Sequence, residues 1–351
     1  MTIKPIQKII FGSPGTGKSY MIDNVIIPHE LGINEESVNR GNVIKAVFHP
    51  EYTHGDFMGK LLPITRDKDV EYRFYEGHFL KAIAKAYKNI LSSYDNKGEK
   101  ISDPDNVVLV IDEINRGNSS AIFGSVFQLL DRDVEGWSSY NTNVNGVMFD
   151  SLYSLIGGTY YKNNDKYKYI LAPFDTSGGV LLETLNNKVK PILNFDLVNR
   201  NIKIPPNLSI IATMNTSDSS IYYMDTAFKR RWDWEFIDID SNRVKADGTA
   251  FSNRKEWNDF IKNLNDFIKS NHKSIRGIED KQIGNYFIQG SPVTNSEIQS
   301  KVMFFIWDSV FSRDKAPLRD LLQLGNDSLV TFGDFAKHVV VFIEAINNRN
   351  V

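Results

Sequence analysis

Gly12-Ser13-Pro14-Gly15-Thr16-Gly17-Lys18-Ser19 fills the pattern G-x-x-x-x-G-K-[ST] in full. It follows the apolar run Ile9-Ile10-Phe11 and opens a stretch of helical periodicity from about Lys18 to Val25. Strand, glycine-rich loop and helix in this order form the context in which the pattern cradles a triphosphate. The glycines let successive backbone N–H groups turn inward on phosphate oxygens, and the helix N-terminus adds partial positive charge. Lys18 is then expected to reach the β- and γ-phosphates and the Ser19 hydroxyl to ligate Mg²⁺. Tyr20, next in the chain, is counted with the cradle. The alternative is a glycine-rich turn with a surface lysine.

Val107 to Ile111 is an unbroken β-branched and leucine run, the signature of a strand buried on both faces of a parallel sheet, and it ends in Asp112 and Glu113. Neighbouring side chains on a strand point apart, so the two acids can hold different jobs. Asp112 is expected to support the Mg²⁺ shell, and Glu113 to orient or deprotonate the attacking water. A further apolar strand at Leu208 to Thr213 leads to Asn215, placed to emerge at the carboxyl edge where open α/β sheets bind ligands. Lys229-Arg230-Arg231 follows a short helical stretch, Met224 to Phe228. Its readings are a solvated charged face or an arginine finger offered across a subunit interface.

With 351 residues, 41% of them hydrophobic and 24% charged, the chain has room for one large core and a second smaller unit. It contains no cysteine, which excludes a disulfide scaffold, a thiol nucleophile and a cysteine zinc site. The formal charge of -2, from 41 basic and 43 acidic residues, is not that of a dedicated nucleic-acid binder, so any DNA contact is local or borrowed. No apolar run approaches a membrane span and no cleavage signal opens the chain, so a cytoplasmic protein with no membrane contact is expected. The six histidines show no metal-binding spacing, and neither a nuclease constellation nor a G-x-S-x-G elbow is present.

Strands at 9–11, 43–48, 107–111 and 208–213 alternate with helical stretches at 79–91 and 119–130, which predicts an α/β fold with a parallel sheet. Between Asp133 and Lys203 a segment rich in Gly, Asn, Tyr and Thr interrupts this rhythm, with strand-like pieces at Thr159 to Tyr161 and Lys168 to Leu171. It is read as an inserted hairpin-bearing loop. Its aromatic residues, Trp137, Tyr140, Tyr160, Tyr161 and Tyr169 among them, suit either cross-strand packing or stacking on bases. From about Phe251 helical periodicity takes over. The expected domains are 1–240, carrying the 133–203 insertion, and an all-helical lid over 241–351.

The ordered set GSPGTGKS, VVLVIDEINRGN, IIATMNTSDSS and MDTAFKRRWDWEF resembles the AAA+ domain of McrB-like proteins, the motor subunits of modification-dependent restriction systems. Phe48-His49-Pro50-Glu51-Tyr52, Gln282 to Phe287 and Ile306 to Phe311 are similar as well. The resemblance spans most of the chain and implies an AAA+ P-loop fold with a helical lid. It implies that Asn215 and Asp218 belong to a signature loop near the γ-phosphate, and that Arg230 or Arg231 completes a neighbour's site in a hexamer-like ring. It further implies a separate McrC-like nuclease as partner and DNA reached through the complex. Ser219 departs from the arginine frequent in that family. The first residues open directly on the P-loop strand, so target recognition is expected in another polypeptide or in the insertion. ATP and GTP both remain open as substrate, since the phosphate motifs touch no base atom. The competing resemblance is to MoxR-like AAA+ remodellers of protein complexes, which share the run Asp112 to Arg116.

Overall fold

A computed structural model describes residues 4–39, 41–66, 69–163, 165–215, 222, 224–240, 242–288, 290–325 and 328–350. The chain packs as two compact units. The described residues of 1–7, 19–214 and 218–224 form one, and those of 8–18, 215–217 and 225–351 the other.

The first unit is built on parallel strands. Val43–Val47 and Leu208–Asn215 flank the central strand Val107–Asp112, in registers that set Ala46 and Ala212 against Ile111. Both neighbours run parallel to the middle strand, so its side chains are enclosed on both faces, which is why Val107 to Ile111 reads as continuously apolar. Helix His78–Leu91 packs on strands Val43–Val47 and Val107–Asp112, and also touches helices Gly146–Leu155 and Leu182–Leu193. Phe79, Leu80, Ile83, Tyr87 and Ile90 form one apolar stripe of this helix, and the buried Ala82, Ala84 and Ala86 widen it towards the other neighbours. The Tyr87 hydroxyl donates to Lys203 O at 2.5 Å and accepts from Lys203 N at 3.0 Å, which fixes the approach to strand Leu208–Asn215.

Arg132 joins separate stretches of this unit. Its guanidinium donates to Gln7 Oε1, Gly136 O, Ile204 O, Pro205 O and Leu208 O at 2.9 to 3.2 Å. Burial pulls its pKa down to about 9, opposed by Asp133, and the group still carries its charge at neutral pH. Arg132→Leu leaves those acceptors without their donor inside the protein. A loss of about 3 kcal/mol or more is expected in a denaturant titration. A change within ~0.5 kcal/mol, the usual range for a surface substitution, would show that the five bonds do not hold the unit together.

Three segments depart from expectation. The helix expected over Lys18 to Val25 is α-helical only over Lys18–Met21 and then widens to a π-helix, Ile22–Glu30. Pro28 inside it has no N–H to give to an i−4 carbonyl, and the ladder continues with Leu31 N on Ile26 O. The helix expected over 119–130 breaks into Ser119–Phe123 and the 3₁₀ turn Gly124–Leu130. Gly124 sits at φ 50°, with the His54 ring where a Cβ would go. Strands Gly59–Arg66 and Asp69–Glu76 form an antiparallel hairpin that the sequence pattern does not announce. In the 133–203 segment, Thr159–Asn163, Lys166–Leu171 and Asp175–Val180 form a three-stranded antiparallel sheet.

In the second unit the P-loop strand Gln7–Gly12 runs parallel to Asp233–Ile237, with Gly12 opposite Ile237. Arg243–Val244 closes the other side of Asp233–Ile237 antiparallel. Phe11, Trp234, Phe236, Phe304 and Phe332 form one aromatic cluster, in which Trp234 stacks on Phe304 with centroids 3.8 Å apart. Helix Arg254–Ser270 turns Trp257, Phe260, Ile261 and Leu264 inward and packs on Val339–Asn347. The stretch is not all-helical: Thr249–Phe251 pairs antiparallel with Val293–Thr294. No described helix is long and apolar enough to cross a membrane.

Glu235 ties the P-loop strand to this unit. Lys8 Nζ donates to its Oε2 at 2.6 Å, and Arg243 donates from Nε to Oε1 and from Nη2 to Oε2, the latter at 2.9 Å. Burial would raise the carboxyl pKa, but the Arg243 hydrogen bond and the Lys8 charge outweigh it and hold it below the ordinary value of 4.5. A depressed carboxylate contributes stability above its unfolded pKa and loses it as pH falls through the folded one. Glu235→Gln is expected to cost about 3 to 5 kcal/mol at neutral pH, because two cations lose their buried partner. In denaturant titrations the gap between wild type and variant should narrow as pH drops below about 4.5. A gap constant down to acid pH would mean that the carboxylate charge is not what stabilises the unit.

Candidate active site

The glycine-rich octet adopts the turn its composition demands. Gly15 and Gly17 both lie at φ 80°, a region that side-chain-bearing residues avoid. At Gly12 a Cβ would run into the Ile237 carbonyl, so glycine is required there by its neighbour as well. Thr16, buried, closes the loop with its Oγ1 donating to Ser13 O at 3.0 Å. Lys18 is buried too, and its Nζ donates to Gly12 O at 3.2 Å and Ser13 O at 2.8 Å, which folds the ammonium back over the loop. Pro14, Gly15 and Gly17 are exposed, Ser13 half-buried, and Ser19 and Tyr20 stand exposed on the first turn after the loop.

The acid pair in the other unit has a built-in bend. Asp112 ends its strand, its carbonyl accepting from Phe48 N at 2.9 Å, and Glu113 follows at φ 56°, ψ 48°. A left-handed glutamate is a strained choice that persists only where the surroundings impose it. Thr213 supplies part of that: its hydroxyl donates to Asp112 Oδ1 and accepts from Glu113 N, each at 3.1 Å. One side chain on the neighbouring strand therefore orients the first acid and fixes the backbone of the second. Thr213 was not among the expected site residues. The signal for it is a hydroxyl two residues before Asn215, at the carboxyl end of a strand whose other hydroxyl, Ser209, lies near its start.

Asn215 closes strand Leu208–Asn215 and is half-buried. Asp218, and Ser219 with it, lies outside the described residues. The basic run splits three ways. Lys229 is buried and paired with Asp308 Oδ2 at 2.6 Å. Arg231 donates from Nη1 to Ala227 O at 2.7 Å, back onto its own short helix Thr226–Lys229, while Arg230 is exposed.

A strand turning through left-handed glycines into a helix, and a buried parallel strand ending in a bent acid pair, are each elements of the P-loop nucleoside triphosphatase class. The chain is 27% identical over 364 residues to the type II restriction enzyme BsuMI component YdiS of Bacillus subtilis (strain 168), covering 93% of this chain and 88% of that relative. It is 26% identical over 242 residues to the type IV methyl-directed restriction enzyme EcoKMcrB subunit of Escherichia coli (strain K12), covering 68% of this chain and 36% of that relative. These similarities support an McrB-like AAA+ ATPase. No family model matches it. A solved structure from Cytophaga hutchinsonii, provisionally described as an ATPase, superposes with a TM-score of 0.25 and 12% identity over 66% of this chain and 41% of its own.

Proposed function

We propose that the chain is the nucleotide-hydrolysing motor of a DNA restriction system, working as a ring with a separate McrC-like nuclease subunit. The observation that carries the hydrolytic part is the bent acid pair, since a protein that only holds nucleotide has no use for a strained Glu113 beside a fixed Asp112. The printed roles of the two relatives, a restriction enzyme component and a restriction enzyme subunit, support the restriction part.

In this reading the backbone N–H groups of Gly12 to Ser19 take the phosphates, and Lys18 trades the Gly12 and Ser13 carbonyls for β- and γ-phosphate oxygens. Among the described residues no group of three or more His, Cys, Asp or Glu could hold a metal by itself. Mg²⁺ does not need such a group, because it keeps several waters and takes one or two protein oxygens beside the phosphates. Ser19 and Asp112 fit that demand. Bound there, Mg²⁺ would neutralise charge on the β- and γ-phosphates. Glu113 orients or deprotonates the attacking water, with Asn215 beside the γ-phosphate and Arg230 reaching a neighbour's nucleotide. The functional division proposed with it sets 1–240 as the nucleotide-binding domain and 241–351 as its lid.

Phosphate release by the purified chain, with ATP and with GTP and over protein concentrations spanning assembly, tests this reading. Turnover per subunit should rise with concentration. No release above background with either nucleotide at any concentration would refute the motor.

A further inference from the structure

We propose that the three-stranded sheet of Thr159–Asn163, Lys166–Leu171 and Asp175–Val180 is a binding face for single-stranded DNA. Its register sets Tyr160 opposite Tyr169 and Lys162 opposite Tyr167. Directly opposed residues of an antiparallel pair share a face, so these four stand together. Their rings continue a series that begins inside the protein: Tyr153 to Tyr169 at 5.8 Å, Tyr169 to Tyr160 at 5.5 Å and Tyr160 to Tyr167 at 5.7 Å between centroids. Tyr153 is buried and its hydroxyl donates to Ile170 O at 2.9 Å, which anchors the inner end. At the outer end Tyr160 and Tyr167 remain 44% and 52% exposed. Cross-strand packing accounts for the inner rings but leaves the outer two half in water. Rings held by neighbours and still open to solvent are what sequence-tolerant base stacking uses.

The charge around them suits a phosphate backbone. Residues 159–180 contain Lys162, Lys166 and Lys168 against Asp165 and Asp175. Asp175 is engaged internally, its Oδ1 accepting from Gly178 N and Gly179 N at 3.2 and 3.0 Å. Asp165 pairs with Lys162 at 3.1 Å, but both side chains are largely exposed. Such a pair is weak and screened, so Lys162 can exchange that carboxylate for a phosphate. Lys166 and Lys168 lie on the reverse face, one or two residues from the tyrosines along the strand. Lys162 shares the ring face, and Lys166 and Lys168 add a field from behind the sheet that is screened over ~10 Å. The chain's overall charge of -2 makes this local basic excess the relevant field. Exposed rings select unstacked bases over a closed duplex.

This deepens the proposed work on DNA and rests on it for the ligand. The test is fluorescence anisotropy of a labelled oligothymidylate of about twenty nucleotides, long enough for one such site. Wild type, Tyr160→Ala/Tyr167→Ala, Tyr160→Phe/Tyr167→Phe and Lys162→Gln/Lys166→Gln/Lys168→Gln are titrated at several salt concentrations. The alanine pair should bind roughly fivefold to a hundredfold more weakly per missing stack, and the phenylalanine pair close to wild type. The lysine variant should lower the slope of log affinity against log salt by about 0.7 for each phosphate it no longer neutralises. Equal affinity and slope in all four proteins, no binding by wild type, or binding of duplex alone would overturn the proposal. Phosphate release without DNA, measured on the same samples, keeps the two readings apart. Turnover without oligonucleotide binding overturns this face and leaves the motor. Binding without turnover does the reverse.

Discussion

Arg230→Ala should abolish most nucleotide hydrolysis, by about 10³-fold or more, while the protein still binds nucleotide. The three neighbouring cations separate on structural grounds. Lys229 is committed to Asp308 within its own unit, and Arg231 is turned back onto Ala227 O. Arg230 is the member of the run whose side chain stands exposed. A residue that completes a neighbour's site must reach out of its own subunit, so Arg230 is the proposed finger. Arg231→Ala is expected to cost only a few-fold. The trans geometry gives a sharper experiment, in which Arg230→Ala and Glu113→Gln chains, each nearly inactive alone, are mixed. In a mixed ring an intact Arg230 from one chain faces an intact Glu113 in the other, and part of the activity returns. If mixing restores nothing while both proteins still assemble, Arg230 does not act across an interface.

Most of what positions the P-loop and the acid pair was legible because it is written in local pattern. An apolar run with a glycine octet after it, and a second run with two acids after it, are short-range signals, and the structure places both strands where they were expected. Hairpin Gly59–Arg66 and Asp69–Glu76 carried no such signal. Pro63 argues against a strand, the residues between the strands, Asp67 and Lys68, offer no glycine or asparagine, and most of its side chains are exposed. Its alternation exists all the same, with Leu61, Pro63 and Thr65 opposite Phe74, Tyr72 and Val70 on one uncharged face. The triad of Lys8, Glu235 and Arg243 was out of reach for another reason. Lys8 and Glu235 stand 227 positions apart, and nothing in either's neighbourhood names the other. Thr213 lies between these cases, visible as an oddity in its strand but given a role only by the register that sets it beside Asp112 and Glu113.

Glu113→Gln is expected to retain nucleotide and to lose about 10² to 10⁴ in turnover, the scale of a missing general base. The substitution keeps size and hydrogen-bonding shape, so the left-handed turn and its bond from the backbone N–H of that position to Thr213 should survive, and only the proton acceptor is removed. Thr213→Val makes the complementary test. It leaves both acids in place but takes away the hydroxyl that donates to Asp112 Oδ1 and accepts from Glu113 N. If Glu113 acts as a base on water, the glutamine variant should lose turnover while it keeps nucleotide, and the valine variant should keep a reduced rate. If Glu113 served the fold alone, the glutamine variant would turn over like wild type and the valine variant would be the damaged one. Phosphate release by the three proteins, with nucleotide affinity measured on each, separates a residue that moves a proton from one that merely holds a bend.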